Sequence, residues 1–243
     1  MSRRPVPLTG ALLEALAALE GPCGRCAFWE LDPVRRARLE VAERVDAKRE
    51  WLRTVQREWG ECGRVVLEDG RPVAWATYAP AAFVPGAGCF ATAPVSPDAV
   101  LLSGVHVEPG HTGAGLGRVL VQSVAADLVE RGDVVALEAF GHHPRRPLGD
   151  ASAPTPASAP GPCTVPVDFL VRVGFTVHRP HLVAPRLRLH LRSTVTWRDE
   201  VEAAVRRVRG VVARPPHATP SPSRLAQGRV TGTVGGAEGG RLR

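Results

Sequence analysis

One run of this sequence has the residue types that hold an anion: Val105-His106-Val107-Glu108-Pro109-Gly110-His111-Thr112-Gly113-Ala114-Gly115-Leu116-Gly117-Arg118. An apolar stretch enters it, a glycine-dense turn follows, and an amphipathic helix leaves it. Glycines let the backbone approach a ligand closely. Amides at a helix start have no internal partner and suit an anion. The spacing excludes two familiar phosphate binders. There is no Gly-Lys-Ser/Thr of an NTPase loop, and Gly113-x-Gly115-x-Gly117 misses the Gly-x-Gly-x-x-Gly step of a dinucleotide fold. A second chemical candidate is Cys23-Gly24-Arg25-Cys26, the spacing of half a zinc site or a redox pair. It lacks a second CxxC or CxxH, so packed cysteines are the simpler reading and no metal is expected.

The elements around the turn follow from periodicity. Ala99 to Val107 is apolar apart from Ser103 and His106, which predicts a central strand. Leu116, Leu120, Val124 and Leu128 recur at intervals of four, predicting a helix over 116–131 with Gly132 as its stop. Val134 to Phe140 predicts another buried strand. Strand, turn, helix and strand form a crossover, which requires parallel pairing. Upstream, the pattern predicts a helix over 8–19 capped by Thr9, a strand at 26–31, and one helix or two over 34–59 with Val34, Ala37, Val41, Val45, Leu52, Val55 and Trp59 inward. Strands at 64–68 and 72–78 flank the turn signal Asp69-Gly70. Residues 79–99 read as a loop bordering a pocket. Downstream, 141–166 is a Pro-rich insertion, 167–173 a short helix ended by Gly174, and 175–178 a strand. Residues 187–191 alternate with arginine, which predicts an outer strand with one wet face. A last helix is expected at 199–209.

Composition narrows the class. With 243 residues, 44% of them hydrophobic, the chain can bury one sizeable core. No apolar run reaches the roughly 20 residues that span a membrane. The first residues lack a signal-peptide pattern, so a cytoplasmic protein is expected, with no membrane partner. The net charge of +7 is carried entirely by Arg3 and Arg4, by 141–166 and by the tail 211–243. A nucleic-acid binder needs a patterned basic face, and none is visible, so nucleic acid is not an expected partner.

The glycine turn in this context resembles the GNAT superfamily of acyl-CoA-dependent N-acyltransferases. Thr112, Gly115 and Gly117 stand at the defined positions of the family's Arg/Gln-x-x-Gly-x-Gly/Ala pattern, and Phe169-Leu170-Val171-Arg172-Val173-Gly174-Phe175 is similar to the short helix and Gly-Phe step near its C-terminal end. The resemblance covers about residues 23–192. It implies an α/β (α+β) fold: a mixed, mostly antiparallel central sheet with a parallel splayed pair at the acyl-CoA site and helices on both faces. The domain would run over 23–210, after an N-terminal extension at 1–22 and before a basic, disordered tail at 211–243.

The resemblance also implies a function, transfer of an acetyl group from acetyl-CoA to a primary amine by direct attack. Acetyl-CoA would be the co-substrate. A small molecule or a peptide would supply the amine, and a homodimer is compatible with the family. Strand 100–107 would hold the pantetheine arm through backbone groups near Val105 and Val107. Thr112, Gly113, Ala114, Gly115, Leu116, Gly117 and Arg118 would cradle the pyrophosphate. Glu138 and His106 are the first candidates for the general base, followed by Glu108, His142 and His143, while Tyr78 is the only tyrosine within reach. The sequence departs from the family twice. Thr112 replaces the usual Arg or Gln, and Leu170 stands where many members carry a tyrosine general acid. The alternative reading is a catalytically silent acyl-CoA-binding module acting as a sensor or interaction protein.

Overall fold

The computed structural model describes residues 4–19, 25–143 and 164–191. Cys23, Cys163, residues 144–163 of the insertion, Arg192, the helix expected at 199–209 and the tail 211–243 lie outside the described residues. In chain order the elements are β1 (Val6–Pro7), α1 (Gly10–Ala17), α2 (Pro33–Arg38), α3 (Val41–Glu58), β2 (Gly63–Glu68), β3 (Arg71–Pro80), β4 (Ala99–Val107), α4 (Leu116–Arg131), β5 (Ala136–His142), β6 (Val165–Pro166), α5 (Val167–Arg172), β7 (Thr176–Arg179) and β8 (Arg186–His190).

Local chemistry sets the ends of these elements. Thr9 Oγ1 accepts the Leu12 amide at 3.3 Å and starts α1. Asp32 Oδ1 accepts the amides of Val34 and Arg35 at 3.0 Å each, with Pro33 at the first helical position of α2. Glu43 Oε2 accepts the Glu40 amide at 2.7 Å, which opens α3. Asp69 and Gly70, at φ +50° and +79°, make the tight turn between β2 and β3. Gly132, at φ +80°, ends α4 and donates its amide to Leu128.

The strands form one sheet in the order β1-β2-β3-β4-β5-β8-β7, with β6 beside the end of β5. Every pairing is antiparallel except β4–β5 and β5–β6. Alternate residues feed two cores. On one face Leu116, Leu120, Val124 and Leu128 of α4 and Leu170 of α5 pack on Val66, Ala74, Val100, Leu102, Leu137 and Ala139. On the other, Leu13 and Leu16 of α1 and Leu52 and Val55 of α3 pack on Val65, Trp75, Leu101 and Phe140. Burying each α4 leucine contributes about 1.5–3 kcal/mol.

Three sequence expectations change, and one left open is decided. Residues 26–31 are a turn, not a strand. Leu31 N donates to Ala27 O, and Trp29 is 4% exposed in a ring stack with Phe90 and Phe140. Packing of the aromatics overrides their strand preference. The 34–59 pattern is two helices, because Leu39 is extended at φ −97°, ψ 138°. Its predicted inward face is only half right: Val34 and Val41 are 59% and 49% exposed, while Lys48 is buried. Lys48 Nζ lies 3.0 Å from Glu30 Oε1 and donates to Cys26 O, so this helix charge has a buried partner. Finally, β8 is an inner strand between β5 and β7, and Arg186 and Arg188 are buried (3% and 7% exposed). Carboxylates across the sheet pair with them, so their alternation does not mark a wet face.

Candidate functional site

The site begins where β4 and β5 part. Their parallel pairing is confined to Ala99–Ala136, Val100–Leu137 and Leu101–Glu138. Beyond Leu101 and Glu138 the strands run on to Val107 and His142 without pairing to each other, so a wedge opens in the sheet. A bulge sits at its root. Tyr78 faces Leu102 and Thr77 faces Gly104, leaving Ser103 as the extra residue. Ser103 Oγ lies 3.0 Å from Thr77 O and 2.9 Å from Thr77 Oγ1 and pins the bulge. On its other side β4 stays paired with β3 as far as Val107, and the Glu108 amide donates to Val73 O at 2.9 Å. Because backbone groups alternate sides along a strand, those of Val105 and Val107 face the wedge.

The glycine turn closes the wide end. A 3₁₀ turn at Pro109–His111 leads to Thr112, and Gly113 and Gly115 then adopt φ +79° and +78°. This left-handed backbone suits glycine, and a Cβ at either position would meet no atom within 4 Å. Gly115 is the N-cap of the 16-residue helix α4. None of the amides of residues 113–118 donates to a backbone carbonyl among the described residues. They converge at the positive end of the helix dipole, a site that favours an anion. The Thr112 hydroxyl donates to Pro109 O at 2.9 Å, so it braces the turn from within. Leu116 is 3% exposed and anchors the first helical turn. Gly117 is a packing requirement: a Cβ there would lie 2.9 Å from the Phe169 ring of α5. Arg118 Nη2 donates to the Arg172 carbonyl at 3.1 Å, binding α4 to the end of α5. Backbone amides and space are therefore what this turn offers an anion.

The candidate bases have different surroundings. Glu138 is fully buried, with Oε1 at 2.9 Å from Arg188 Nη1, Oε2 at 3.1 Å from Arg186 Nη1, and Oε2 accepting the Ser96 amide at 3.1 Å. Burial pushes its pKa up, but the Ser96 hydrogen bonds, Arg188 and Arg186 outweigh that and hold it below the ordinary value. A carboxylate with both oxygens engaged is a poor proton acceptor. His106 sits on β4 past the bulge, its ring centroid 4.0 Å from that of Trp75 at a tilt of 30° and its Nε2 at 3.0 Å from Glu108 Oε1. Glu108 orients the ring, and in the neutral tautomer this fixes, the proton is on Nε2. His142 Nδ1 lies 3.0 Å from Thr164 Oγ1, and burial lowers its pKa, helped by the charge of His143 and opposed by Thr164. His143 is exposed.

Tyr78 is sequestered in the core beneath α4. Its hydroxyl donates to Asp127 Oδ2 at 2.7 Å, and Arg64 and Arg131 hold the same carboxylate at 2.6 and 2.9 Å. Burial, then the Asp127 hydrogen bond, raise its pKa and keep it neutral. Leu170 is fully buried. Sequence reasoning missed the Ser103 bulge and the Arg186–Glu138–Arg188–Asp98 cluster. The signal for the cluster was Glu138 itself, since a carboxylate within a buried strand must be paired. Among the described residues no group of three His, Cys, Asp or Glu side chains is placed to hold a metal ion.

The model of the Acetyltransferase (GNAT) family matches residues 26–146. The chain belongs to the GNAT acetyltransferase family. The matched segment takes in the wedge, the glycine turn and α4, and the GNAT fold is the mixed sheet described above. No curated protein matches the sequence. Among similar solved structures, one described as an acetyltransferase is 14% identical, with 77% of this chain and 98% of that chain covered and a TM-score of 0.50. A GphF GNAT-like decarboxylase in complex with isobutyryl-CoA is 21% identical over 77% and 99% of the two chains, with a TM-score of 0.48. A PaiA N-acetyltransferase from Thermoplasma acidophilum in complex with coenzyme A is 11% identical over 78% and 99%, with a TM-score of 0.47. Among the described residues of this GNAT chain no helix is long and apolar enough to cross a membrane.

Proposed function

We propose that this protein is an N-acetyltransferase that transfers an acetyl group from acetyl-CoA to a primary amine by direct attack. The observation that carries the reading is the wedge between β4 and β5 with the amides of residues 113–118 at its wide end. Such an opening accepts a narrow arm along the exposed backbone of Val105 and Val107, and the turn accepts the anion at the arm's end. The fit is steric as well as electrical, since Gly113 and Gly115 leave open space where side chains would project. Bound there, acetyl-CoA supplies an activated thioester carbonyl.

The chain's own residues then have three tasks. The turn fixes the pyrophosphate through backbone amides, without the Arg or Gln side chain common in the family. The bulge at Ser103 turns the β4 backbone at the root of the wedge, where an amide can stabilise a developing oxyanion. His106, oriented by Glu108, takes the proton that an ammonium must lose before it attacks. Release of free thiol from acetyl-CoA, followed across a panel of primary amines, tests the proposal. Amine-dependent thiol release supports it, and acetyl-CoA binding without turnover of any amine opposes it.

A second reading has an observation of its own. Leu170 is buried and Tyr78 is hydrogen-bonded to Asp127, so neither position offers a tyrosine to protonate a leaving thiolate. A silent acyl-CoA-binding module would have this arrangement, and the same thiol assay separates the two.

A further inference from the structure

A cavity of about 540 Å³ lies at the end of β7 and the start of β8, walled by residues 91–97 and by Arg179, Pro180, His181 and Arg186. Its size suits a small metabolite. The walls are fixed to each other and to the sheet. Thr92 Oγ1 donates to Ala184 O at 3.0 Å, and the Ser96 amide donates to Glu138.

The charges around the cavity have one sign in excess. Among the described residues that line it, the ionisable side chains are Arg179, His181 and Arg186, and none is a carboxylate. Arg186 is 3% exposed, and among the described residues its Nε makes no hydrogen bond while its Nη1 lies 3.1 Å from Glu138 Oε2. Glu138 is shared with Arg188, whose remaining capacity goes to Asp98 at 2.7 and 3.0 Å. Two carboxylates thus face Arg186 and Arg188, and Arg179 on the rim adds a positive charge with no ion pair among the described residues. His181 Nδ1 accepts the amides of Val183 and Ala184 at 3.2 and 3.0 Å, so the neutral ring keeps its proton on Nε2 as a donor. A planar carboxylate matches the fork of a guanidinium.

The cavity wall is tied to the root of the wedge: Ser96 and Arg186, which line the cavity, both contact Glu138. Glu138, which touches its Arg186 wall, is paired with Leu101 at the last parallel step before β4 and β5 separate. We infer that this cavity is the acceptor pocket and that it selects an amine carrying a carboxylate, an amino acid or a similarly small molecule, with Arg186 and Arg179 taking the carboxylate. The inference rests on the acetyltransferase reading and names the substrate class of that site.

The test uses the full chain, acetyl-CoA and matched amines: L-phenylalanine against L-phenylalaninamide and 2-phenylethylamine, and L-leucine against L-leucinamide and isoamylamine. The expected result is a kcat/KM about tenfold or more higher for the acid in at least one series. Arg179→Gln, on the exposed rim, should raise KM for the acids several-fold more than KM for the amides, and Arg186→Gln should abolish the preference. Equal turnover of acids and amides overturns the inference, and so does an Arg179→Gln effect that is the same for both classes. Calorimetry with acetyl-CoA runs beside the assay. Failure of acetyl-CoA to bind overturns the acetyltransferase reading itself, whereas acetyl-CoA binding with no carboxylate-bearing amine turned over overturns only the substrate class.

Discussion

Gly115→Glu puts a charge at the centre of the proposed anion site. Gly115 has φ +78°, and a Cβ there meets nothing within 4 Å. Steric damage to the fold is therefore confined to the backbone. A residue with a side chain in the left-handed region costs about 1–2 kcal/mol, which lowers Tm by about 2–8 °C for a domain of this size. The effect on binding is larger. The new carboxylate competes with phosphate for the amides of residues 113–118. Losing two charge-assisted hydrogen bonds, each about 1.5–3 kcal/mol, weakens acetyl-CoA binding by about 10²–10⁴-fold. Gly115→Ala has the same backbone cost without the charge, and its affinity should stay within about tenfold of wild type. Isothermal titration calorimetry reads the affinities, and circular dichroism confirms that the variants are folded. A folded Gly115→Glu protein that binds acetyl-CoA as wild type does would refute the assignment of the turn.

Three further outcomes follow from the same geometry. His106→Gln should lower kcat/KM by about 10²–10⁴-fold, the usual contribution of a positioned base, while leaving the acetyl-CoA Kd unchanged; an unchanged rate removes His106 from the mechanism. Tyr78→Phe deletes a buried hydrogen bond to Asp127 and should cost about 1.5–3 kcal/mol in urea unfolding, with kcat/KM kept; a large loss of rate would show that the tyrosine reaches the reaction. For Glu138 the folded pKa lies below the ordinary value of 4.5. Its contribution to stability is then present above pH 4.5 and lost as pH falls through the folded pKa. Glu138→Gln should be destabilised by about 3–5 kcal/mol at neutral pH, because Arg186 and Arg188 lose their shared partner. The gap to wild type should close on acidification, and a gap that widens toward low pH contradicts the ion-pair assignment.

The part of the fold that was legible in the sequence is the part specified locally. Strand 99–107 and helix 116–131 have the predicted bounds, because an apolar run, three spaced glycines and a C-cap glycine are signals carried by neighbouring residues. The parallel β4–β5 pair followed from the crossover they bracket. What was hidden depends on partners distant in sequence. Arg188 pairs with Asp98 and Glu138, 90 and 50 residues away, so the alternation of arginine and leucine in β8 looked solvated. Likewise, Trp29 and Phe28 have strand-like chemistry, but Phe90 and Phe140 fix them in a turn. The bulge at Ser103 has no sequence mark of its own, since it arises from the register against Thr77 and Tyr78. Within the site, the geometry of the glycine turn was readable because positive φ angles and a helix start are properties of the backbone. The standing of Glu138 and Arg118 was not, because side-chain roles are set by what the fold brings opposite them.

The central claim is that the wedge and the glycine turn form one acyl-CoA site. Its most direct measurement is a calorimetric titration of the purified full chain with acetyl-CoA, with ATP and NAD as controls. Saturable binding of acetyl-CoA at a single site is expected, with ATP and NAD far weaker. Absence of acetyl-CoA binding, or equal affinity for the three ligands, would contradict it.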